Sequence, residues 1–198
     1  DATTECRLAT ALNQNSALIA KSQVRDDTPN AESRYRARFY IDTTEITGLT
    51  ALRSVQVYVL NGTTAPSGAN QSLVRANLFK LGTVANLRVI LADASQGGNT
   101  RTIDIPLAAE SGKNRFEFDL GSGSAADFRY WMSTDVAATS DASPTNTVTG
   151  INNQNWGGAD STLLGLAGAS NGYRQAYGAA NHIYFDQFDS RRQTFIGQ

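Results

Sequence analysis

The chain has 198 residues, a formal net charge of −1 and a sequence pI near 5.8, with 40% hydrophobic and 18% charged residues. That length can bury a core without metals or disulfides as staples, and the near-neutral charge excludes the basic footprint of a non-specific nucleic-acid binder. No apolar stretch approaches the roughly 20 residues of a membrane-spanning helix, and the single cysteine, Cys6, excludes an intrachain disulfide.

The chain opens at Asp1 rather than Met, which reads as a processed mature end and implies a secreted or cell-surface protein. In that compartment Cys6 is either a free or partner-seeking thiol or a buried small hydrophobe. Residues 5–13 are expected to form one short helix, because Leu8 and Leu12 fall on one face at that period. Beyond it the dominant period is two. A weaker strand is expected over 17–24. Over 33–41, Tyr35, Ala37, Phe39 and Ile41 share one face, and Arg34, Arg36, Arg38 and Tyr40 the other. Such alternation predicts a strand with one wet face. The pattern repeats over 52–60, 86–92, 114–120 and 127–134, with weaker strands over 72–80, 100–105, 146–151, 161–168 and 182–188. Asn61-Gly62, Pro66-Ser67-Gly68, Gly97-Gly98-Asn99 and Gly121-Ser122-Gly123 supply turns between them. Residues 137–150 read as a long loop or hairpin. Many short strands separated by turns, with no long helical period, predict an all-β antiparallel sandwich over 1–198 as a single domain.

Two segments resemble a known family. The run 182–197, HIYFDQFDSRRQTFIG, and the run 32–41, ESRYRARFYI, are similar to the closing and opening strands of bacterial secreted laminin-G-like jelly rolls. Those domains belong to the concanavalin A-like lectin/glucanase class. Pro29, Glu32, Tyr35, Arg36, Ala37, Arg38, Phe39 and Tyr40 match the first motif. Tyr184, Phe185, Asp186, Phe188, Ser190, Arg191, Arg192, Thr194, Ile196 and Gly197 match the second, and Trp131 falls where the family has a tryptophan. The resemblance implies a jelly roll whose terminal strands are adjacent. It implies little about activity, because fold does not fix function. If the terminal strands neighbour each other, Arg34, Arg36 and Arg38 can meet Asp186 and Asp189. Without such pairing three like charges on one strand face repel. The alternative is a basic stripe for an acidic ligand. Phe185 and Phe188 break the period of two, which predicts a bulge near Gln187.

Hydrolysis of a glycosidic bond needs a carboxylate pair. The nearest approach is Glu117-Phe118-Asp119, which lacks the second glutamate of the E-x-D-x-x-E pattern of glucanases in this class and lies on the polar side of a strand. His182 is the only histidine, and no nucleophile elbow accompanies it; the plain reading is a hydrogen-bonding residue. One His and one Cys cannot supply a usual structural zinc site. The resemblance implies at most a structural calcium, with Asp186 in the last strand and Asp26 or Asp27 brought near it by the paired termini; the alternative is that Asp186 pairs with an arginine. No other cofactor is expected. Two loop regions carry aromatics among amides: Trp156 beside Asn155, and Tyr173, Arg174 and Tyr177. Trp156 is expected either to stack on a sugar ring or to cap one end of the sandwich. The functional expectation is a non-catalytic extracellular module for glycan. The alternative is a structural subunit of a surface layer, filament or matrix, acting through self-association or another extracellular protein. A lyase or hydrolase enters only if an acid pair converges in a cleft.

Overall fold

A computed structural model describes residues 8–11, 22–45, 54–108, 112–134, 143–169 and 182–192. Among these residues twelve strands run in chain order: β1 Leu8–Ala11, β2 Ser22–Asp26, β3 Arg34–Asp42, β4 Val55–Gly62, β5 Ser72–Leu81 and β6 Val84–Ala92, then β7 Thr100–Pro106, β8 Lys113–Gly121, β9 Ala126–Ser133, β10 Asn146–Ile151, β11 Ala159–Ala169 and β12 His182–Arg191. They form two six-stranded antiparallel sheets. Sheet A has the order β1-β12-β3-β8-β9-β10 and sheet B the order β2-β11-β4-β5-β6-β7. The expected sandwich is therefore present. The short helix over 5–13 is not: residues 8–11 form β1 and pair with Phe185–His182 at the edge of sheet A. Edge pairing supplies a ladder of backbone hydrogen bonds that a weak local helix preference cannot match.

The two apolar faces meet in one core. Tyr35, Ala37, Phe39 and Ile41 of β3 are buried together with Phe116, Phe118 and Leu120 of β8 and Tyr58 and Leu60 of β4. The Phe39 ring stacks on Tyr58 across the sandwich at 5.1 Å and meets Phe118 edge-on at 5.3 Å. Contacts of this kind add about 0.5–1.5 kcal/mol each beyond the area they bury. Glu32 and Ala159 exchange both backbone hydrogen bonds at 2.9 Å, which ties the approach to β3 onto β11. Gly158 makes that crossing possible, because a Cβ there would stand 2.2 Å from the Ala31 carbonyl.

The two segments that carried the resemblance are neighbours. β12 pairs with β3 through Tyr184↔Asp42, Asp186↔Tyr40 and Asp189↔Arg38. The register slips between Asp186 and Asp189, and Gln187 takes a φ of +47°, so the bulge falls where the phenylalanine spacing put it. It returns Phe188 to the core side.

Candidate functional site

The face of sheet A turned from the core is a grid of charged and aromatic groups. Cross-strand register sets Arg36 beside Asp119 and Arg38 beside Glu117, with Arg129 and Trp131 next along from β9. Arg115, Glu117 and Asp119 are at most 1% exposed, and Arg38 and Trp131 are also buried. Charges so far from water must be paired to be tolerated. Arg34 grips Asp119 with two hydrogen bonds, at 2.8 and 2.5 Å, and Arg36 reaches the same carboxylate at 3.0 Å. Arg115 pairs with Glu117 at 3.2 Å, and Arg36 lies 5.9 Å from the Trp131 ring centre. The expected pairing of all three β3 arginines with β12 therefore holds only for Arg38, which approaches Asp189 at 3.9 Å. Arg34 and Arg36 turn instead to β8, because Asp119 stands directly opposite Arg36 and is the nearer anion. Glu117 and Asp119 are thus held by arginines, which removes them as a hydrolytic pair.

At the end of this face lies a second cluster. Glu45, three residues past β3, accepts a hydrogen bond from His182 Nδ1 at 2.8 Å through one carboxylate oxygen and from the Tyr184 hydroxyl at 2.8 Å through the other. These two bonds, His182 foremost, hold the Glu45 carboxyl below its ordinary pKa. An ionised carboxylate only accepts, so the imidazole proton sits on Nδ1 and the Nε2 lone pair is left to act as a base. Tyr184 also lines a small cleft with Tyr40, Asp42, Lys113 and Asp186. Lys113 stands opposite Asp42, which stands opposite Tyr184, so a cation shares the cleft with the phenol.

The residues expected for a ligand are dispersed. Trp156 is 2% exposed; its indole N–H donates to the Asn70 carbonyl at 2.9 Å, and its own carbonyl accepts from Thr64. Of its two expected roles the burial favours the cap. Asn155 is exposed and its carbonyl accepts from the Thr64 hydroxyl. Tyr173, Arg174 and Tyr177 lie outside the described residues. The three aspartates considered for calcium do not converge. Asp26 lies between the sheets, where it accepts from Tyr35 and Ser190. Asp27 pairs with Arg25. Asp186 is on the opposite face of sheet A, across from Tyr40. Among the described residues no three His, Cys, Asp or Glu side chains form a metal-binding group. Glu45, Tyr184 and Lys113 were not singled out from sequence. The available signal was the register: with Tyr184 opposite Asp42, the D-T-T-E turn at 42–45 carries Glu45 to the start of β12.

The two stacked antiparallel sheets define a jelly-roll β-sandwich. No protein-family model matches the sequence, and no curated protein does. Solved structures do match. An endo-β-1,4-glucuronan lyase from the fungus Trichoderma reesei superposes with a TM-score of 0.65 at 10% identity, over 96% of this chain and 82% of the lyase. An alginate lyase from Pseudomonas aeruginosa gives 0.60 at 12% identity, over 94% and 82%. A marine family 7 alginate lyase from Zobellia galactanivorans gives 0.56 at 7% identity, over 98% and 79%. At such identities the likeness shows fold. It nevertheless corrects the expectation of a non-catalytic glycan module or structural subunit: these three structures, matched over 94–98% of this chain, are polysaccharide lyases. The expectation failed because it sought a carboxylate pair. Hydrolysis needs that pair; elimination needs a base, a proton donor and a cation.

Proposed function

We propose that the chain is a polysaccharide lyase that cleaves a uronate-containing, anionic polymer by β-elimination on the polar face of sheet A. The observation that carries the reading is the Glu45 carboxylate, which binds both His182 Nδ1 and the Tyr184 hydroxyl at 2.8 Å at the head of an arginine-bearing face. The polymer lies across the Glu45 end of this face, with the carboxylate of the reacting sugar toward Lys113, which shares the cleft with Tyr184. Neutralising the carboxylate of the reacting sugar makes its C5 proton acidic, and fixed cations do this without reorganising during the reaction. His182 Nε2 takes that proton. The C5 electron pair forms a double bond to C4, the C4–O4 bond breaks, and the departing oxygen receives a proton from Tyr184. The phenol recovers its proton from the imidazolium through solvent. Glu45 keeps His182 in the tautomer with Nε2 free. Secretion belongs to the same proposal, since a polymer of this kind must be met outside the cell. The resemblance of the terminal motifs to laminin-G-like domains bears on the fold and leaves the reaction open.

The test is incubation with glucuronan, alginate and a neutral glucan, followed by ultraviolet absorbance of the new double bond conjugated to the carboxylate. A rise with a uronate polymer, absent with the neutral one and lost in His182→Ala, is expected. No unsaturated product from any uronate polymer overturns the proposal.

A further inference from the structure

Sheet B carries a second pocket, far in the topology from Glu45 and His182. It is about 150 Å³ in volume. Its floor is the outward side of β5, β6 and β7, with Arg75, Ile90, Ala92 and Thr100. Asn70, Ser72, Asn99 and Trp156 also line it. Arg75 sets this pocket apart. Among the described arginines every other one reaches a carboxylate within 4 Å. The half-buried Arg75 guanidinium makes no ion pair and no hydrogen bond. A guanidinium that lines an open pocket and has no carboxylate of its own is a ready fork for a carboxylate, which it binds through two parallel N–H bonds.

The remaining lining narrows the ligand. Ile90 offers an apolar surface of the kind that packs on the C–H face of a sugar, backed by the buried Ala92 and Trp156. Asn70, Ser72, Asn99 and Thr100 supply donors and acceptors for hydroxyls. The volume is that of a cavity known to accept a benzene-sized guest, and it is well below the roughly 300 Å³ lower bound of drug-sized pockets. One six-membered ring fits within it, and any neighbouring sugars of a chain would lie outside its mouth. We infer that this pocket binds a single carboxylated pyranose, a hexuronate unit, with Arg75 on the carboxylate. The pocket stands on its own lining; only the idea that the polymer cleaved on sheet A is the source of that unit rests on the proposed function.

The experiment titrates the full chain with D-glucuronate, D-glucose and acetate, followed by amide NMR shifts of Gly68, Asn70, Gly98 and Asn99. Saturable shifts with glucuronate are expected, with glucose and acetate weaker by about tenfold or more, a difference of one decade in Kd. Arg75→Gln should weaken glucuronate by a similar factor while leaving the melting midpoint unchanged, because Arg75 holds no ion pair whose loss would unfold the chain. Equal binding of acetate overturns the sugar assignment. Equal binding of glucose, an unaffected Arg75→Gln, or no shift at all overturns the role of Arg75. Repeating the titration in His182→Ala separates the two proposals: retained shifts in a variant without lyase activity support the pocket whatever becomes of the reaction, and shifts lost only in that variant overturn it as a separate site.

Discussion

Asp119→Ala tests whether the polar face of sheet A is held together by its ion pairs. The carboxylate is fully buried and receives two hydrogen bonds from Arg34 and a contact from Arg36. Removing it leaves two guanidinium groups on successive outward positions of β3, Arg34 and Arg36, without their shared anion. Breaking a buried pair by deleting one partner costs about 3–5 kcal/mol. The lower end applies, because the Arg34 side chain is 28% exposed and has Asp127 at 3.6 Å as a second partner. A loss of about 3 kcal/mol corresponds to a fall of about 6–12 °C in melting temperature for a chain of this size. Urea unfolding of the wild type, Asp119→Ala and Asp119→Asn gives the stabilities. The asparagine variant keeps one acceptor oxygen and should fall between the other two. A double-mutant cycle with Arg34→Ala should return a coupling of about 1–3 kcal/mol. An Asp119→Ala stability within about 0.5 kcal/mol of wild type, the range of an ordinary surface change, would refute the reasoning.

Asp26 should link stability to acid pH. Burial alone would raise its pKa, but hydrogen bonds from Thr28, Ser190 and Tyr35 outweigh it and hold the carboxyl below 3.8. A depressed folded-state pKa means the stabilisation is complete above the unfolded value, near 3.9, and is lost as pH falls through the folded one. The urea-midpoint gap between wild type and Asp26→Asn should therefore shrink from pH 7 to pH 3; a constant gap rules the linkage out. Gly158→Ala should destabilise by at least the about 1–3 kcal/mol of an overpacked core, since its Cβ meets the Ala31 carbonyl, and hydrogen exchange should quicken at Glu32 and Ala159; unchanged protection there would count against the crossing as a tight contact. Trp156→Phe should cost less than Trp156→Ala, for which about 3–5 kcal/mol is typical of a buried aromatic, with thermal melts reading the difference; equal costs would assign the whole effect to the indole hydrogen bond on Asn70.

The strands were legible because alternation is a local property. Tyr35, Ala37, Phe39 and Ile41 could only share a face, and the core holds all four. The bulge was legible for the same reason, since Phe185 and Phe188 cannot both face inward without an extra residue between them. What escaped depended on partners distant in the chain. Leu8 and Leu12 have the spacing of a helical turn, and only pairing with β12 makes residues 8–11 a strand. Glu45 and His182 are separated by 137 positions and meet only through the β3–β12 register.

That separation explains how a reading correct about the fold went astray about the reaction. Two acids i and i+2 on a strand are visible in sequence, and Glu117 and Asp119 invited the question of hydrolysis. Their answer came from three arginines on neighbouring strand positions, which neutralise both. Two of them, Arg34 and Arg36, read with Arg38 along β3 alone, were a problem of like-charge repulsion. Read across sheet A they form a buried electrostatic frame that ends at a histidine oriented by a carboxylate. A frame of that kind costs desolvation energy that an apolar face would avoid. Its retention over the middle of a sheet, rather than at an edge where water could solvate it, is the physical reason to look for chemistry there.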